Sequence, residues 1–258
     1  MRPDEFSKMR ALESAHWWFQ GRRHLLRGLM RTLCLRDALV LDAGCGTGFA
    51  RGELSKAGTV IGLDASEAAF ALAPGGDQGA SCVGLIERAP FQDGTFDLVV
   101  ALDLLEHLED DTRALGEIYR ICRPGGFLFA TVPACQRVWS RHDEALGHYR
   151  RYSAAELAKR VRLAGFEIRK SSYTVTTLFP LAAAYRILRR RFGRDAATTD
   201  LFPVPEPLNA VLGLLMRFES WLALRVNLPF GLSAFILARK IAESDDCVLR
   251  TAAGGSER

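Results

Sequence analysis

Short apolar runs alternate with amphipathic stretches along the first two thirds of the chain. Four runs rich in Val, Leu and Phe predict strands, at residues 38–43, 58–65, 96–103 and 126–133. Each run is almost continuously apolar, which is typical of strands buried on both faces of a parallel sheet. Before the fourth run, residues 112–122 place apolar side chains at helical spacing behind the capping acids Asp110 and Asp111. This alternation predicts a doubly wound α/β sheet.

Beyond residue 150 the alternation continues once and then stops. Residues 153–166 predict a helix capped by Ser153, and residues 167–179 predict a further strand. Two apolar-faced helices follow on either side of the proline-rich stretch FPVPEP, at residues 180–194 and 208–224. The run GLSAFILARK, residues 231–240, predicts a last strand that returns to the sheet.

The composition is that of a globular protein of ordinary size. The 258 residues are 48% hydrophobic and 25% charged, which supplies enough apolar material for a large core. Six cysteines are scattered without a CxxC pair, so we expect reduced thiols and neither a disulfide framework nor a metal site. The start lacks the apolar segment of a secretory signal, and no stretch reaches the roughly 18 apolar residues of a membrane-spanning helix. We therefore expect a cytoplasmic protein.

Basic residues are concentrated in one part of the chain. The net charge is +4, yet residues 147–194 contain 12 Lys and Arg against 2 Asp and Glu. Within them, RILRRRFGR places five arginines in nine residues beside an apolar stretch. This combination suits a helix at an anionic lipid surface, or a groove for a long-chain substrate with a phosphate head. Nucleic acid is not expected, because no aromatic residues are interleaved with the arginines. The alternative is an ordinary cap whose apolar faces pack on each other.

The stretch VLDAGCGTG, residues 40–48, follows a predicted strand into a glycine-rich loop. Its glycines let a ligand approach the backbone closely, and the helix that follows offers free N–H groups. The spacing is GxGxG, so the GxGxxG of a dinucleotide site is absent and an NAD(P) oxidoreductase is disfavoured. Asp64 ends the second strand, where such folds bind ribose hydroxyls. The alternatives need no ligand: the glycine-rich stretch would be a tight strand-to-helix turn, and Asp64 would cap a helix.

Four stretches together carry a family resemblance. VLDAGCGTG, IGLDAS, APFQDGTFDLVVALDLLEHL and RPGGFLFATVP resemble, in order and spacing, the class I S-adenosylmethionine-dependent methyltransferases over roughly residues 35–170. The sequence looks most like the small-molecule branch that includes the quinone-biosynthesis enzymes. HWWFQGRR and HDEALGHYRRY resemble a bacterial subgroup of it, often presumed to act on lipid- or sugar-linked substrates. The resemblance implies a Rossmann-like, seven-stranded sheet ending in a reversed hairpin, with S-adenosyl-L-methionine as cofactor.

Positions of the cofactor contacts follow from this resemblance. The glycine loop and its preceding acid would face the methionine part, Asp64 the ribose hydroxyls and Asp103 the methionine amino group. An N-terminal helix would close over the cofactor, with Trp17, Trp18 and Phe19 as a wall and Arg22 or Arg23 near a carboxylate; plain core packing is the alternative. The expected set is Asp42, Gly44, Cys45, Gly46, Gly48, Asp64, Ala65, Ser66, Ile86, Asp103, Trp18 and Arg23.

One position departs from the family pattern. Leu85 stands where the family commonly has an acid that bonds the adenine amine, and a leucine side chain cannot accept that hydrogen bond. The backbone at Ile86 is then left to read the adenine edge. The departure motivates a rival interpretation, a non-catalytic module that keeps the fold without the cofactor.

The acceptor side is predicted near three histidines. His107 follows the third predicted strand, and His142 and His148 lie in HDEALGHYRRY, after the fourth. A histidine is the usual general base for a hydroxyl acceptor, so these three are the catalytic candidates. Tyr149, Arg150 and Arg151 are candidates for acceptor binding, since arginines clamp a phosphate or carboxylate. A solvated polar loop is the alternative for this stretch, and a structural role is the alternative for His107.

The sequence thus predicts a methyltransferase that acts on a small, amphiphilic or lipid-linked acceptor at oxygen, with peripheral contact to anionic lipid. A small soluble aromatic or sugar acceptor is the closest alternative, and the oligomeric state is left open. Five consecutive parts are expected: a helical cap (residues 1–34), the cofactor-binding core (35–177), a helical insertion (178–230), the last core strand (231–242) and a disordered tail (243–258).

Overall fold

A seven-stranded sheet forms the centre of the protein. The structure is a computed structural model that describes residues 9–71, 80–192 and 203–242. The strands are β1 (Ala38–Ala43), β2 (Gly58–Asp64), β3 (Ala80–Val83), β4 (Phe96–Leu102), β5 (Cys122–Pro133), β6 (Phe166–Thr174) and β7 (Ser233–Lys240). Their order across the sheet is β3-β2-β1-β4-β5-β7-β6. The first five strands are parallel, and β7 runs antiparallel to β5 and β6. The doubly wound sheet with a reversed hairpin is therefore confirmed.

Helices cover both faces of this sheet. They are α1 (Trp17–Leu33), α2 (Arg51–Leu54), α3 (Glu67–Ala71), α4 (Asp111–Ile121), α5 (Arg141–Leu146), α6 (Ala154–Leu163), α7 (Phe179–Phe192) and α8 (Glu206–Arg225). Short 3₁₀ turns occupy Ile86–Arg88, Leu105–His107 and Gln136–Val138. Asp110 accepts from the N–H of Arg113 at 3.0 Å and Ser153 from that of Glu156 at 3.1 Å, as expected for caps. Asp111 is instead the first residue of α4, and its carboxylate accepts from the Tyr152 hydroxyl and from Arg160, each at 2.6 Å. No helix in these ranges is long and apolar enough to cross a membrane.

Two boundaries and one strand differ from the sequence prediction. Cys122 starts β5 and does not end α4, because it pairs with Phe96 across a bulge and brings the RPGG stretch into the strand. The strand predicted to reach residue 179 ends at Thr174. Val175 turns into left-handed backbone with a φ of 58°, and Glu219 accepts from the N–H groups of Thr176 and Thr177. The edge strand β3 was not predicted individually, and the expected disordered tail lies outside the described residues.

Two hydrophobic cores explain the continuous apolar runs. Leu41 and Val99 face the core under α4 and α6, whereas Val40 and Leu98 face the core under α1, on the other side of the sheet. All of these side chains are fully buried. Burying one such side chain contributes about 1.5–3 kcal/mol, so consecutive residues of a central strand each stabilise the fold.

The predicted cap and insertion pack on each other through α1 and α8. A side chain added at Gly21 would come within 3.0 Å of Met216, so a glycine permits the close approach of the helices. The hydroxyl of Ser220 donates to the Gly21 carbonyl at 3.1 Å, and Asn209 accepts from the N–H of Trp17 at 2.8 Å. This layer holds the N-terminal end of α1 over the carboxyl edge of the sheet, where the predicted site lies.

Candidate functional site

The glycine loop follows β1 at the carboxyl edge of the sheet. Gly44, Gly46 and Gly48 have φ values of 70°, 52° and 81°, which residues with a side chain rarely adopt. A Cβ on Gly44 would also lie 2.9 Å from Leu104 Cδ1. The chain therefore turns sharply here and leaves its backbone accessible, with Thr47 buried beneath it.

Asp64 joins this loop to the end of β2. One carboxylate oxygen accepts from the N–H of Gly46 at 2.8 Å, and the other accepts from the N–H of Ser66 at 2.9 Å. Ala65, between them, is exposed. Both oxygens keep a further lone pair, because a carboxylate offers about four acceptor positions. Asp64 thus shapes the loop and can still accept hydrogen bonds from a bound molecule.

Asp42 is buried at the end of β1. Burial raises the pKa of its carboxyl to about 7, with a smaller raising effect from Asp64 and a lowering effect from Arg51. The neighbouring Cys45 thiol also has a raised pKa, mainly because of burial and then because of the two carboxylates. Cys45 is therefore a protonated, poorly reactive thiol.

A partly buried ion pair connects α1 to the end of β4. Arg22 Nη2 donates to Asp103 Oδ1 at 2.6 Å, and the guanidinium lies 4.7 Å from the centre of the Trp18 ring. The other terminal nitrogen, Nη1, is buried without a hydrogen-bond partner in the described part of the chain. Asp103 itself adopts a left-handed φ of 50°, stabilised by a hydrogen bond from its N–H to the Thr131 carbonyl at 2.9 Å. Left-handed backbone at a non-glycine residue is a frequent feature of binding sites.

Of the two arginines considered on α1, only Arg22 reaches this edge. Arg23 donates to the backbone carbonyls of Glu13 and Ser14 at 2.6 and 3.1 Å, and its guanidinium lies over the Phe49 ring. Phe19 is buried against Phe49. Phe19 therefore packs into the core next to the glycine loop, whereas Trp17 and Trp18 are partly exposed.

Glu13 is a site residue that the sequence reasoning missed. Its side chain is 2% exposed, and one carboxylate oxygen accepts from the Thr47 hydroxyl inside the glycine loop. The other oxygen pairs with Arg10 at 3.1 Å. The segment before α1 is thereby tied to the loop. No local motif marks Glu13, because its partner Thr47 is 34 residues away.

Leu85 and Ile86 lie beyond β3, where the adenine end of the cofactor is expected. Leu85 is 53% exposed and Ile86 is 4% exposed. Val83, at the end of β3, is also exposed. The predicted adenine position is thus bordered by apolar side chains, and Leu85 presents its side chain to the surface.

The stretch HDEALGHYRRY forms α5 and a buried polar network. Asp143 is fully buried and accepts from Arg151 Nε at 2.8 Å and from the N–H of Ser140 at 2.9 Å. His148 Nδ1 lies 2.9 Å from the same carboxylate. Burial alone would raise the pKa of Asp143, but the hydrogen bond from His148 and the charge of Arg151 outweigh it and hold that pKa well below its usual range. A solvated polar loop is excluded for Asp143 and Arg151.

The three predicted histidines come together beside this network. The ring centroids of His107 and His148 are 4.7 Å apart, and those of His142 and His148 are 6.4 Å apart. Burial and then the neighbouring His148 lower the pKa of His107 to about 3, so its ring is neutral. Glu106 is fully buried next to them, and burial and then Asp103 raise its pKa well above the usual range.

The residues predicted to bind the acceptor have different surroundings. Tyr149 is 56% exposed, and its N–H donates to the Glu106 carbonyl at 2.7 Å. Arg150 donates to the Glu109 carbonyl at 2.6 Å. Arg151 is buried and holds Asp143 as well as the Ala134 carbonyl at 3.0 Å. Arg151 is thus part of the internal network, whereas Tyr149 remains accessible.

An exposed apolar face runs along α8 on the side opposite α1. Its buried face contains Gly213, Met216 and Ser220. The outward face carries large apolar side chains that are about half to two-thirds exposed: Leu208 51%, Val211 61%, Leu214 66%, Phe218 59% and Trp221 48%. The Arg225 guanidinium lies 4.2 Å from the centre of the Trp221 ring. Contiguous apolar surface of this kind marks contact with a partner, a lipid surface or a ligand.

Comparison with known proteins agrees with this geometry. Residues 41–130 match the sequence profile of a methyltransferase domain family. A probable S-adenosylmethionine-dependent methyltransferase of Mycolicibacterium smegmatis is 32% identical over 161 residues, which cover 61% of this chain and 62% of that relative. A ubiquinone biosynthesis O-methyltransferase of Thiobacillus denitrificans is 29% identical over 168 residues, which cover 57% of this chain and 72% of that relative.

Solved structures show the same fold at low sequence identity. A putative methyltransferase from Haloferax volcanii, in a complex with the Trm112 methyltransferase activator, has a TM-score of 0.61 and 20% identity, and the match covers 93% of this chain and 96% of that one. The [4+2]-cyclase SpnF has a TM-score of 0.55 and 22% identity, covering 83% and 78%. The fold alone therefore does not determine the reaction. In sequence, residues 41–130 are similar to a methyltransferase domain family, and the Mycolicibacterium smegmatis relative, of which this chain spans 62%, is S-adenosylmethionine-dependent by name.

Proposed function

We propose that this methyltransferase domain makes the whole chain an S-adenosyl-L-methionine-dependent methyltransferase that acts on an oxygen atom of a small, amphiphilic or lipid-linked acceptor. The observation that carries the proposal is the Arg22–Asp103 pair at the carboxyl edge of the sheet. The amino-acid end of the cofactor is a zwitterion, and it needs a cation for its carboxylate and an anion for its ammonium group. Arg22 and Asp103 supply these two charges side by side, 2.6 Å apart.

The unpaired nitrogen of Arg22 supports this fit. A buried guanidinium nitrogen without a partner costs stability, and a bound carboxylate would remove that cost. The same edge offers the accessible backbone of the glycine loop and the remaining lone pairs of Asp64 for the ribose hydroxyls. Arg22, Asp103, Asp64 and the loop would therefore hold the cofactor, with Trp18 against the Arg22 guanidinium. When bound, the cofactor supplies an electrophilic methyl group next to a positively charged sulfur.

The chain's own contribution is to place and activate the acceptor. Transfer of a methyl group needs the acceptor oxygen in line with the methyl carbon, so positioning supplies much of the rate. A hydroxyl acceptor must also lose its proton. His107 follows Asp103 closely in the sequence, and its ring lies beside those of His142 and His148, in and just after α5. We assign activation of the acceptor oxygen to this cluster, and contact with the acceptor to the accessible Tyr149 and to Arg150.

The outward face of α8 supports an amphiphilic acceptor. Val211, Leu214, Phe218 and Trp221 form one exposed apolar stripe, with Arg217 and Arg225 beside it. Such a stripe binds the boundary between headgroups and acyl chains, and each arginine near an anionic surface contributes about 1 kcal/mol. A cytoplasmic protein held at the membrane by α8 would meet lipid-linked acceptors directly. The ubiquinone-biosynthesis relative, an O-methyltransferase by name, is in keeping with transfer to oxygen.

A single experiment distinguishes the proposed function from two alternatives, a methyltransferase with a small soluble acceptor and a non-catalytic module. The purified protein is incubated with cofactor labelled in the methyl group and with a bacterial total lipid extract or the aqueous fraction of the same cells. Label in a solvent-extractable product of the lipid extract is expected, and resistance of that product to mild alkali would indicate an ether and not an ester. Label only in the aqueous products would establish a small soluble acceptor. Absence of labelled product in both, together with absence of cofactor binding, would favour the non-catalytic module that Leu85 motivates.

A further inference from the structure

Glu106, His107 and His148 form a cluster of potential metal ligands. One carboxylate oxygen and one ring nitrogen from each histidine all lie within 4.8 Å of one another. Ligand atoms of a divalent ion bound at about 2.1 Å are separated by about 3–4 Å. Small side-chain rotations therefore suffice to bring the three groups around one ion. The two histidine rings are nearly perpendicular, at 79°, with their centroids 4.7 Å apart.

The Glu106 carboxyl group in this cluster lacks a cation or hydrogen-bond donor as partner. The side chain is completely buried, and neither carboxylate oxygen has a hydrogen-bond partner within the described ranges. The nearby guanidinium groups make their hydrogen bonds to other carboxylates, Arg22 through Nη2 to Asp103 and Arg151 through Nε to Asp143, and the unpaired Arg22 Nη1 makes no hydrogen bond to Glu106. An isolated carboxyl group in a protein interior is strongly disfavoured unless a cation or hydrogen-bond donors meet it. A cation at the cluster would provide this missing partner.

The orientation of His148 suits metal coordination. Its Nδ1 lies 2.9 Å from Asp143 Oδ1, which fixes the ring and leaves the lone pair of Nε2 available. Asp143 is fixed in turn by Arg151 and by the N–H of Ser140. Metal-binding histidines almost always have their second nitrogen bonded to a carboxylate or a carbonyl in this way. His107 has similar support, from hydrogen bonding with the backbone at Leu146 and Gly147.

We propose that Glu106, His107 and His148 bind one divalent transition-metal ion, and that Asp143 positions His148 for this role. Two imidazoles and one carboxylate favour ions such as Zn²⁺, Mn²⁺, Fe²⁺ or Co²⁺ over Mg²⁺ and Ca²⁺, which prefer all-oxygen sites. Three protein ligands leave coordination positions open for an acceptor oxygen. The proposal rests on the proposed function in one respect only, namely that the ion lies on the acceptor side of the cofactor site.

The ion would specify how the acceptor is activated. A coordinated hydroxyl ionises at a much lower pH than a free one and releases its proton to water. With metal bound, the coordinating ring nitrogens of His107 and His148 hold no proton, so the ion takes over the task that a histidine base would otherwise have. The acceptors that suit this site are hydroxyl or carboxylate groups that can themselves coordinate a metal.

Co²⁺ is the probe for this site, because its visible absorption reports coordination by nitrogen and oxygen. The full chain is freed of metal with a chelator, dialysed and titrated with Co²⁺ by absorption and by calorimetry. We expect about one equivalent to bind with micromolar affinity or better, to be displaced by Zn²⁺ and to resist excess Mg²⁺. Absence of saturable binding to the wild-type protein would overturn the proposal.

Variants identify the ligands. Glu106→Gln and His148→Ala should each weaken Co²⁺ binding by about 30-fold or more, and Asp143→Asn by about 10- to 100-fold, with a changed absorption spectrum. His24→Ala on α1 is the matched control and should leave Co²⁺ binding unchanged. Equal Co²⁺ affinity in the wild-type protein and in Glu106→Gln or His148→Ala would also overturn the proposal.

Titration with S-adenosylhomocysteine shows whether each variant is folded and separates the two proposals. A variant that keeps cofactor-product affinity while it loses Co²⁺ has lost a ligand and not its fold. If the wild-type protein binds S-adenosylhomocysteine but fails to bind Co²⁺, the metal site is refuted and the proposed function stands. If it binds Co²⁺ but fails to bind S-adenosylhomocysteine, the proposed function is refuted and the metal site stands.

Discussion

The buried carboxyl of Asp42 makes a quantitative prediction about stability. Burial raises its pKa from 3.8 to about 7. Between these two values the folded protein retains a proton that the unfolded chain has released. The folded state then binds more protons than the unfolded state, so the free energy of unfolding must fall as the pH rises through this window and level off above about pH 7.

The size of the effect follows from the same shift. One pKa unit corresponds to about 1.4 kcal/mol, so raising the pH from about 5 to about 8 should cost the wild-type protein about 3 kcal/mol through Asp42 alone. Asp42→Asn keeps the size of the side chain and removes the titration. The stability of this variant relative to wild type should therefore improve by about 3 kcal/mol over that range. Any effect of the amide that does not depend on pH cancels in this comparison.

Urea unfolding of the ligand-free protein at several pH values, followed by tryptophan fluorescence, measures this difference. Asp37→Asn is the matched control, because Asp37 is exposed and its φ of 50° suits asparagine as well as aspartate. Its stability relative to wild type should not vary with pH. A pH-independent difference between Asp42→Asn and wild type would refute the reasoning, because it would mean that Asp42 titrates alike in the folded and unfolded states.

Two further predictions concern the adenine end of the proposed cofactor site and the exposed face of α8. Leu85→Asp should strengthen S-adenosylhomocysteine binding by about threefold to tenfold, since a half-exposed hydrogen bond to the adenine amine contributes about 0.5–1.5 kcal/mol. Calorimetry measures this change, with Leu85→Asn and Leu163→Asp as controls. Unchanged affinity would place the adenine elsewhere. The double variant Phe218→Glu, Trp221→Glu should weaken the affinity for anionic liposomes, measured by sedimentation, by about 100-fold without altering S-adenosylhomocysteine affinity. The reason is that each exposed aromatic contributes up to about 1.5–3 kcal/mol on burial. Equal sedimentation of variant and wild type would exclude α8 as the membrane contact.

Most of the sheet could be predicted from the sequence because its central strands are covered on both faces. Such strands read as continuous apolar runs, as in Leu98 and Val99, which face opposite cores. The edge strand β3 has only four residues, ASCV, and its end residues are exposed, so it carries no comparable signal. At the start of β5, the helical spacing of residues 112–122 predicted that Cys122 belongs to the helix, but pairing of Cys122 with Phe96 outweighed that local preference.

The proposed cofactor side of the site was partly predictable. Strand-end acids such as Asp42 and Asp64 follow directly from the strand assignments. The choice between Arg22 and Arg23 depended on which helix face meets the sheet, and the chain did contain that signal. Arg22 lies three residues after Phe19 and four before Leu26, on the same buried face of α1, whereas Arg23 lies outside that stripe.

The proposed acceptor side was predictable in composition but not in arrangement. The sequence drew attention to His107 and His148, yet gave no metal-ligand spacing, because the two residues belong to different loops. Their contact depends on where α5 packs and on the long-range hydrogen bond from the Tyr149 N–H to the Glu106 carbonyl. Glu106 itself reads as an ordinary polar residue in LEHL, and only its complete burial reveals that it needs a partner.

The most direct test of the central claim compares two ligands that differ in the amino-acid end. S-adenosylhomocysteine carries the carboxylate and ammonium groups, and 5′-methylthioadenosine lacks them. Arg22→Gln should weaken binding of the first by about 10- to 100-fold, because a charge-assisted hydrogen bond contributes about 1.5–3 kcal/mol, and should leave binding of the second within about twofold. Equal losses for both ligands, or no binding of S-adenosylhomocysteine to the wild-type protein, would contradict the assignment of this edge to the cofactor.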